Sequence, residues 1–354
     1  GSRALEIVVT GTALIVLVPL GMQQFLGLQI VLKVLDWSIS PLLLTCLAGA
    51  LAFTYIAISG IRASAYVAVL KDILLILAIL LTALVALDHW GAGVALHPTA
   101  AWKHAMTPTL KGDVFSITTV LAQSVGFCIV PQTCAYVFTA RSASAVRRAQ
   151  VTMPLYMLMF PFLTIVAYFA LMHPMQVGSP NEVFPLVAQK LLPAPLVGLV
   201  MAGAALSALV VLTGICLAIG SLVSRNLVPG LNGDQQRQWS QVIIAFYLLL
   251  SIGGAATSSQ LLVTINNLFY FGIAQFLPGM LGILFARRMR PSAIIAGILA
   301  GDLVAIIIYE FTLPVGGMNA GFVGLLVNFA IVLTALRFFP DEPRKPVAAI
   351  TQRQ

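Results

Sequence analysis

Long apolar runs without alternation constrain this chain more than any other feature. The stretch Ile73–Leu87 carries no charge, and its only polar side chain is Thr82. In lipid, only a helix or a closed barrel satisfies every backbone N–H and C=O. Barrel strands would alternate polar and apolar residues over about ten positions, and these runs do not, so helices spanning a membrane are expected. Composition agrees. The chain is 60% hydrophobic and 8% charged, against about 25% charged in a typical soluble domain. Its polar residues cannot cover a soluble surface, so lipid is an expected partner. The expected fold is all-α: a polytopic membrane helical bundle.

About ten transmembrane helices are expected, over residues 4–33, 41–60, 64–88, 114–139, 150–172, 194–225, 239–257, 261–286, 291–311 and 317–338. Together they make a body over 1–339, followed by a polar, Pro-containing tail over 340–354 expected to be a disordered terminus. The net charge of +8 reads as topology rather than as nucleic-acid binding. If the helix ends are assigned alternately to two sides, fifteen basic residues collect with the N-terminus. Lys33, Lys103, Lys111 and Lys190 collect opposite, which accounts for all 19 Lys and Arg. The positive-inside rule then places both termini in the cytoplasm. Two longer loops, Asp88–Asp113 and His173–Pro193, fall outside, either as interfacial lids or as passive connectors.

Function classes narrow further. Cys46, Cys128, Cys134 and Cys216 lie in apolar runs and read as buried thiols. No Cys/His spacing points to a metal. No nucleophile–base pattern or carboxylate cluster marks an enzyme. No cofactor is expected.

In a membrane bundle, chemistry concentrates at broken helices and buried polar groups. The fourth segment reads Gln123-Ser124-Val-Gly126-Phe127-Cys-Ile-Val-Pro131-Gln132. Gly126 permits unusual backbone and Pro131 removes a donor, so the stretch between them is expected to unwind beside a cavity or at least to kink. Gln123, Ser124 and Gln132 would face that cavity. The eighth segment has a polar centre at Asn266-Asn267, with Tyr270, Gln275 and Pro278 beyond it. Adjacent asparagines in lipid need a partner, a water or a ligand. Asp72, inside an apolar run, reads as a proton carrier or as half of a salt bridge to another helix. Lys71 beside it points about 100° away and is not expected to pair with it. Ser207 and Thr213 are the hydroxyls in the middle of the long small-residue segment. Asp302, Glu310 and Asn328 are expected to be interfacial.

Several segments together resemble the solute:sodium symporter family. They are Ser59-Gly-Ile-Arg62-Ala with Lys71-Asp72, Gly126-Phe127 to Pro131-Gln132 with Arg141 and Arg147-Arg148, and Ser224-Arg225-Asn226-Leu227. Within that family the segments are most similar to the bacterial monocarboxylate permeases. The resemblance implies a LeuT-type inverted repeat in the bacterial inner membrane. It also implies about three further helices ahead of the first one here, so the repeat is expected to be incomplete in this sequence. The family's substrate-contacting positions fall at Gln123, Phe127 and Pro131. Its sodium-binding Ser-Thr pair falls near Val210 and Val211, with Thr213 the nearest hydroxyl, and its acid on the third segment falls at Ala68.

The expectation is therefore cation-coupled symport of a small organic solute, most simply a monocarboxylate, by alternating access. Gln123, Ser124, Gly126, Phe127, Pro131, Gln132, Asn266, Asn267 and Tyr270 would line the site, and Asp72, Ser207 and Thr213 would serve the cation. The coupling ion is H⁺ or Na⁺, with H⁺ favoured because valine offers sodium no oxygen. The alternative is a transporter-like sensory module.

Overall fold

The computed structural model describes residues 2–34, 40–90, 107–173, 175–285 and 289–339. The expected lid stretch 91–106 and the tail 340–354 lie outside the described residues. Among the described residues there are helices and turns but no strand. The helices are α1 (Arg3–Val34), α2 (Pro41–Asp88), α3 (Leu110–Ile129), α4 (Pro131–Phe138), α5 (Ala143–Tyr156) and α6 (Phe160–Met172). After these come α7 (Val183–Leu191), α8 (Ala194–Asn226), α9 (Gly233–Thr257), α10 (Leu262–Ile273), α11 (Leu277–Phe285), α12 (Pro291–Glu310) and α13 (Ala320–Phe338). Nine stretches among the described residues are long and apolar enough to cross a membrane, and Thr45–Ile58 is a shorter apolar stretch.

The helix boundaries differ from the expected ones for local reasons. Segments 41–60 and 64–88 form one continuous helix, because Gly60 stays helical; a helical Gly costs only about 1 kcal/mol. The fourth segment breaks at Val130 alone. Pro131 has no N–H for the carbonyl four residues back, and it disfavours helical backbone at the residue before it. α9 starts six residues earlier than the expected 239, at Gly233, because Asn232 and Gln235 form a reciprocal capping box there. Pro278 leaves the Ala274 carbonyl without its usual donor, and the chain tightens into a 3₁₀ turn over Ala274–Phe276, with Leu277 N–H bonding Ala274 O.

The chain forms two compact units. One comprises residues 1–16, 110–130 and 267–354; the other comprises 17–109 and 131–266. In the first unit, α12 and α13 pack closely through glycines. A side chain at Gly324 would strike the Gly301 carbonyl and come within 3.2 Å of the Ala305 Cβ. Small residues at such crossings let backbones approach, which is how helices associate without a hydrophobic drive from water. Phe271, Ala305, Ile308 and Ala320 form a buried cluster here.

In the second unit, α2 lies along α8, with Gly203 of α8 fitting against Leu74 of α2. The loop 173–193 carries secondary structure of its own over its described residues. It holds a 3₁₀ turn at Pro180–Glu182 and the short helix α7. Val187 of α7 is buried against Ala83, Ala86, Val166 and Phe169. Ala188 and Leu192 are buried with Val31, Val34, Ala78 and Val197. Glu182 pairs with Lys33 at the end of α1. Tyr247, fully buried, donates from its hydroxyl to Leu17 O at 2.8 Å.

The glycine crossing gives a direct test. Gly324→Val should destabilise the protein by about 1–3 kcal/mol through overpacking. Gly198→Ala on α8 has open space around it and should leave the thermal unfolding temperature in detergent unchanged or slightly higher. Equal effects from the two changes would contradict the close α12–α13 contact.

Candidate functional site

The helix break and the asparagine pair coincide with two of the four places where the chain passes between units, at Val130/Pro131 and at Asn266/Asn267. The predicted substrate residues accordingly divide between the units.

In the first unit, α3 and the second part of α10 bring four of them together. Gln123 Nε2 donates to Asn267 Oδ1 at 3.0 Å. One turn on, Gly126 is buried, and a methyl group there would come within 2.7 Å of the Tyr270 ring and 3.0 Å of Ile273. Gly126 is therefore needed for this close approach. It keeps helical backbone, and the expected unwinding from Gly126 to Pro131 is confined to Val130. Phe127 is 38% exposed and Ser124 is exposed, so neither is enclosed within its own unit.

The same unit contains a polar knot. Gln275, with no exposed surface, donates through Nε2 to Phe271 O at 2.9 Å and to Gly321 O at 3.2 Å. Asn328 Nδ2 donates to Gln275 O at 2.7 Å and to its Oε1 at 3.2 Å. Asn319 caps α13 by accepting from Gly321 and Phe322 N–H. It also bonds α3, with its N–H donating to Thr118 Oγ1 and its Nδ2 to Thr119 Oγ1, both at 2.9 Å. The expectation that Asn328 and Asp302 are interfacial is wrong. Asn328 is the ninth residue of α13 and buried. Asp302 lies in mid-α12, next to Gly272, with a buried Oδ1 that accepts no hydrogen bond. Glu310 does sit at its helix end, exposed.

In the second unit, α4 packs on α8, with the Tyr136 hydroxyl against Gly214. Pro131 opens α4 and Gln132 follows, its buried Oε1 without a hydrogen-bond partner. Asn266 is half-buried. Thr213 is buried, and its hydroxyl donates to Leu209 O at 2.8 Å within the helix. Ser207 is half-buried on the same helix. Asp72 shares a hydrogen bond with Tyr156 of α5 and forms no salt bridge to another helix among the described residues. Lys71 Nζ lies 2.6 Å from its Oδ1, because the flexible lysine arm bends round to a neighbour that the helix itself points away. Among the described residues, no three His, Cys, Asp or Glu cluster in a way that would hold a metal.

Broken membrane helices are a feature of transport bodies, and the sequence comparison identifies the group. The profile of the sodium:solute symporter family matches residues 1–301. The chain belongs to that family. Its members are symporters rather than enzymes, and this chain is a multi-pass membrane protein. It is 24% identical over 359 residues to the uncharacterized symporter YodF of Bacillus subtilis (strain 168), covering 98% of this chain and 72% of that protein. It is 26% identical over 314 residues to a monocarboxylate transport permease protein of Rhizobium johnstonii, covering 85% of this chain and 63% of the permease. Among solved structures, it shares the LeuT-type fold with a Na⁺-coupled sialic acid symporter in a substrate-bound outward-open state. The TM-score is 0.73 at 16% identity, over 95% of this chain and 76% of that one.

The amide pair is testable by a double-mutant cycle. Gln123→Leu and Asn267→Leu should each lower stability by about 1–3 kcal/mol, because each leaves the other amide short of a partner. The double variant should lose less than the sum of the two. Additive losses in thermal unfolding would mean that the two amides do not interact.

Proposed function

We propose that this chain forms the body of a symporter that imports a small organic acid, a monocarboxylate, coupled to protons. The observation that carries the reading is the break at Val130. Beyond it, the half-helix α4 begins with N–H groups that have no partner within the helix, and with the positive end of its dipole. Broken helices in transporters use such termini to hold anionic groups. Gln123, Ser124, Gly126 and Phe127 before the break, Pro131 and Gln132 after it, and Asn266, Asn267 and Tyr270 on α10 are the proposed substrate residues. The similarity to the Rhizobium monocarboxylate permease supports the substrate class.

The family name and the sialic acid symporter point to sodium as the family's coupling ion. For this chain we favour the proton. Where the family resemblance calls for a Ser-Thr pair, α8 carries Val210 and Val211, which have no oxygen to give a hard cation. Asp72 and Asp302 are acids on membrane-spanning stretches proposed to carry the proton, and Ser207 and Thr213 are the hydroxyls of α8 that flank Val210 and Val211 in sequence.

Uptake of labelled pyruvate or lactate into proteoliposomes of the full-length protein tests this. An imposed inward proton gradient without Na⁺ should drive accumulation, and a protonophore should abolish it. A strict requirement for Na⁺ would refute the proton reading. No uptake of any monocarboxylate under either gradient would refute the substrate class.

A further inference from the structure

The second unit has a groove of about 290 Å³ lined by none of the proposed substrate or cation residues. Its lining includes Phe53 and Ile56 of α2, Leu217 of α8, and Arg237, Gln241 and Ile244 of α9. Three of these residues form a graded stripe. Arg237, Gln241 and Ile244 stand at spacings of four and three on α9, so they share one helix face. Arg237 is the fifth residue of the helix, one turn beyond its cap at Asn232. Ile244 lies seven residues further, about 10 Å along the axis at 1.5 Å per residue.

A cation thus stands near the helix end, an amide below it, and hydrocarbon below that. The cation is available. Arg237 is exposed and forms no ion pair among the described residues, even with Asp234 three residues earlier. Gln241 is half-buried. Ser240 between them is committed elsewhere, donating to Gly220 O at 3.0 Å and lying 2.9 Å from the Ser224 hydroxyl. The open polar groups are therefore at the mouth and the apolar walls lie deeper.

An amphipathic molecule with an anionic head and an acyl chain matches that order; a free phosphate would leave the apolar walls uncovered. Basic clefts between membrane helices at the interface are suited to anionic lipid heads, and attraction near an anionic leaflet is worth about 1 kcal/mol per Arg. We infer that the α2–α8–α9 groove is a binding site for one anionic phospholipid, with the headgroup phosphate at Arg237 and Gln241 and an acyl chain along Phe53, Ile56 and Ile244.

Native mass spectrometry of the full-length protein in mild detergent tests the site, using dioleoyl phosphatidylglycerol and dioleoyl phosphatidylcholine at equal concentration. One phosphatidylglycerol should be retained per chain, preferred over phosphatidylcholine by about five- to tenfold, the scale of one Arg–lipid attraction. Arg237→Ala should remove the preference, and Ala57→Trp, which fills the groove, should remove retention of both lipids. Equal retention of the two lipids by the unaltered protein would overturn the proposal, as would an unchanged preference in Arg237→Ala. Displacement of the lipid by millimolar inorganic phosphate would make the site one for a free anion and would equally overturn it. The comparisons on the unaltered protein decide the matter even if the variants fail to fold.

Discussion

A polar group at membrane depth has no water to turn to, and the organisation of this chain follows from that constraint. Backbone groups are satisfied by helix, and the side chains that remain polar are largely spent on one another or on backbone carbonyls. Gln275 and Asn328 show the logic: Asn328 Nδ2 donates to the Gln275 carbonyl in the 3₁₀ turn, and Gln275 Nε2 donates to the Gly321 carbonyl in the first turn of α13. In lipid, such bonds hold helices together in place of a hydrophobic drive. Glycines at Gly301, Gly324 and Gly126 bring backbones and rings close enough for the bonds to form.

Against that background, the unsatisfied groups are informative. Gln132 Oε1 follows the helix break, and Asp302 Oδ1 sits inside the first unit. An unpaired buried polar atom costs about 1–3 kcal/mol, a cost a protein keeps where a ligand, an ion or a moving part makes use of it. The break at Val130 belongs with them. A non-helical residue within a membrane span is tolerated only when it is buried in protein or lines a cavity.

Much of this was legible in the sequence. Uninterrupted apolar runs located the spans, and the Gly126–Pro131 and Asn266–Asn267 stretches marked the discontinuities. What sequence could not give were facts of packing. Segments 41–60 and 64–88 read as separate, yet a helix carries a glycine such as Gly60 at small cost when its neighbours are helical, so α2 runs on. Gly126 read as a hinge, but its role is to make room for Tyr270, a residue 144 positions away in sequence. The helix α7 escaped notice because nine residues with an internal Pro185 carry too little periodicity to announce themselves. Asp302 and Asn328 were misjudged because position within a helix does not say which neighbour a side chain meets.

The central claim is that the Val130 break lines a water-accessible solute path. Cysteines placed singly at Gln123, Ser124, Phe127 and Gln132 in a full-length protein lacking its native cysteines, and treated with a membrane-impermeant maleimide, test it most directly. The account predicts labelling at these positions and slower labelling when saturating monocarboxylate is present. Positions that stay unlabelled, or that label at a rate solute does not change, would contradict it.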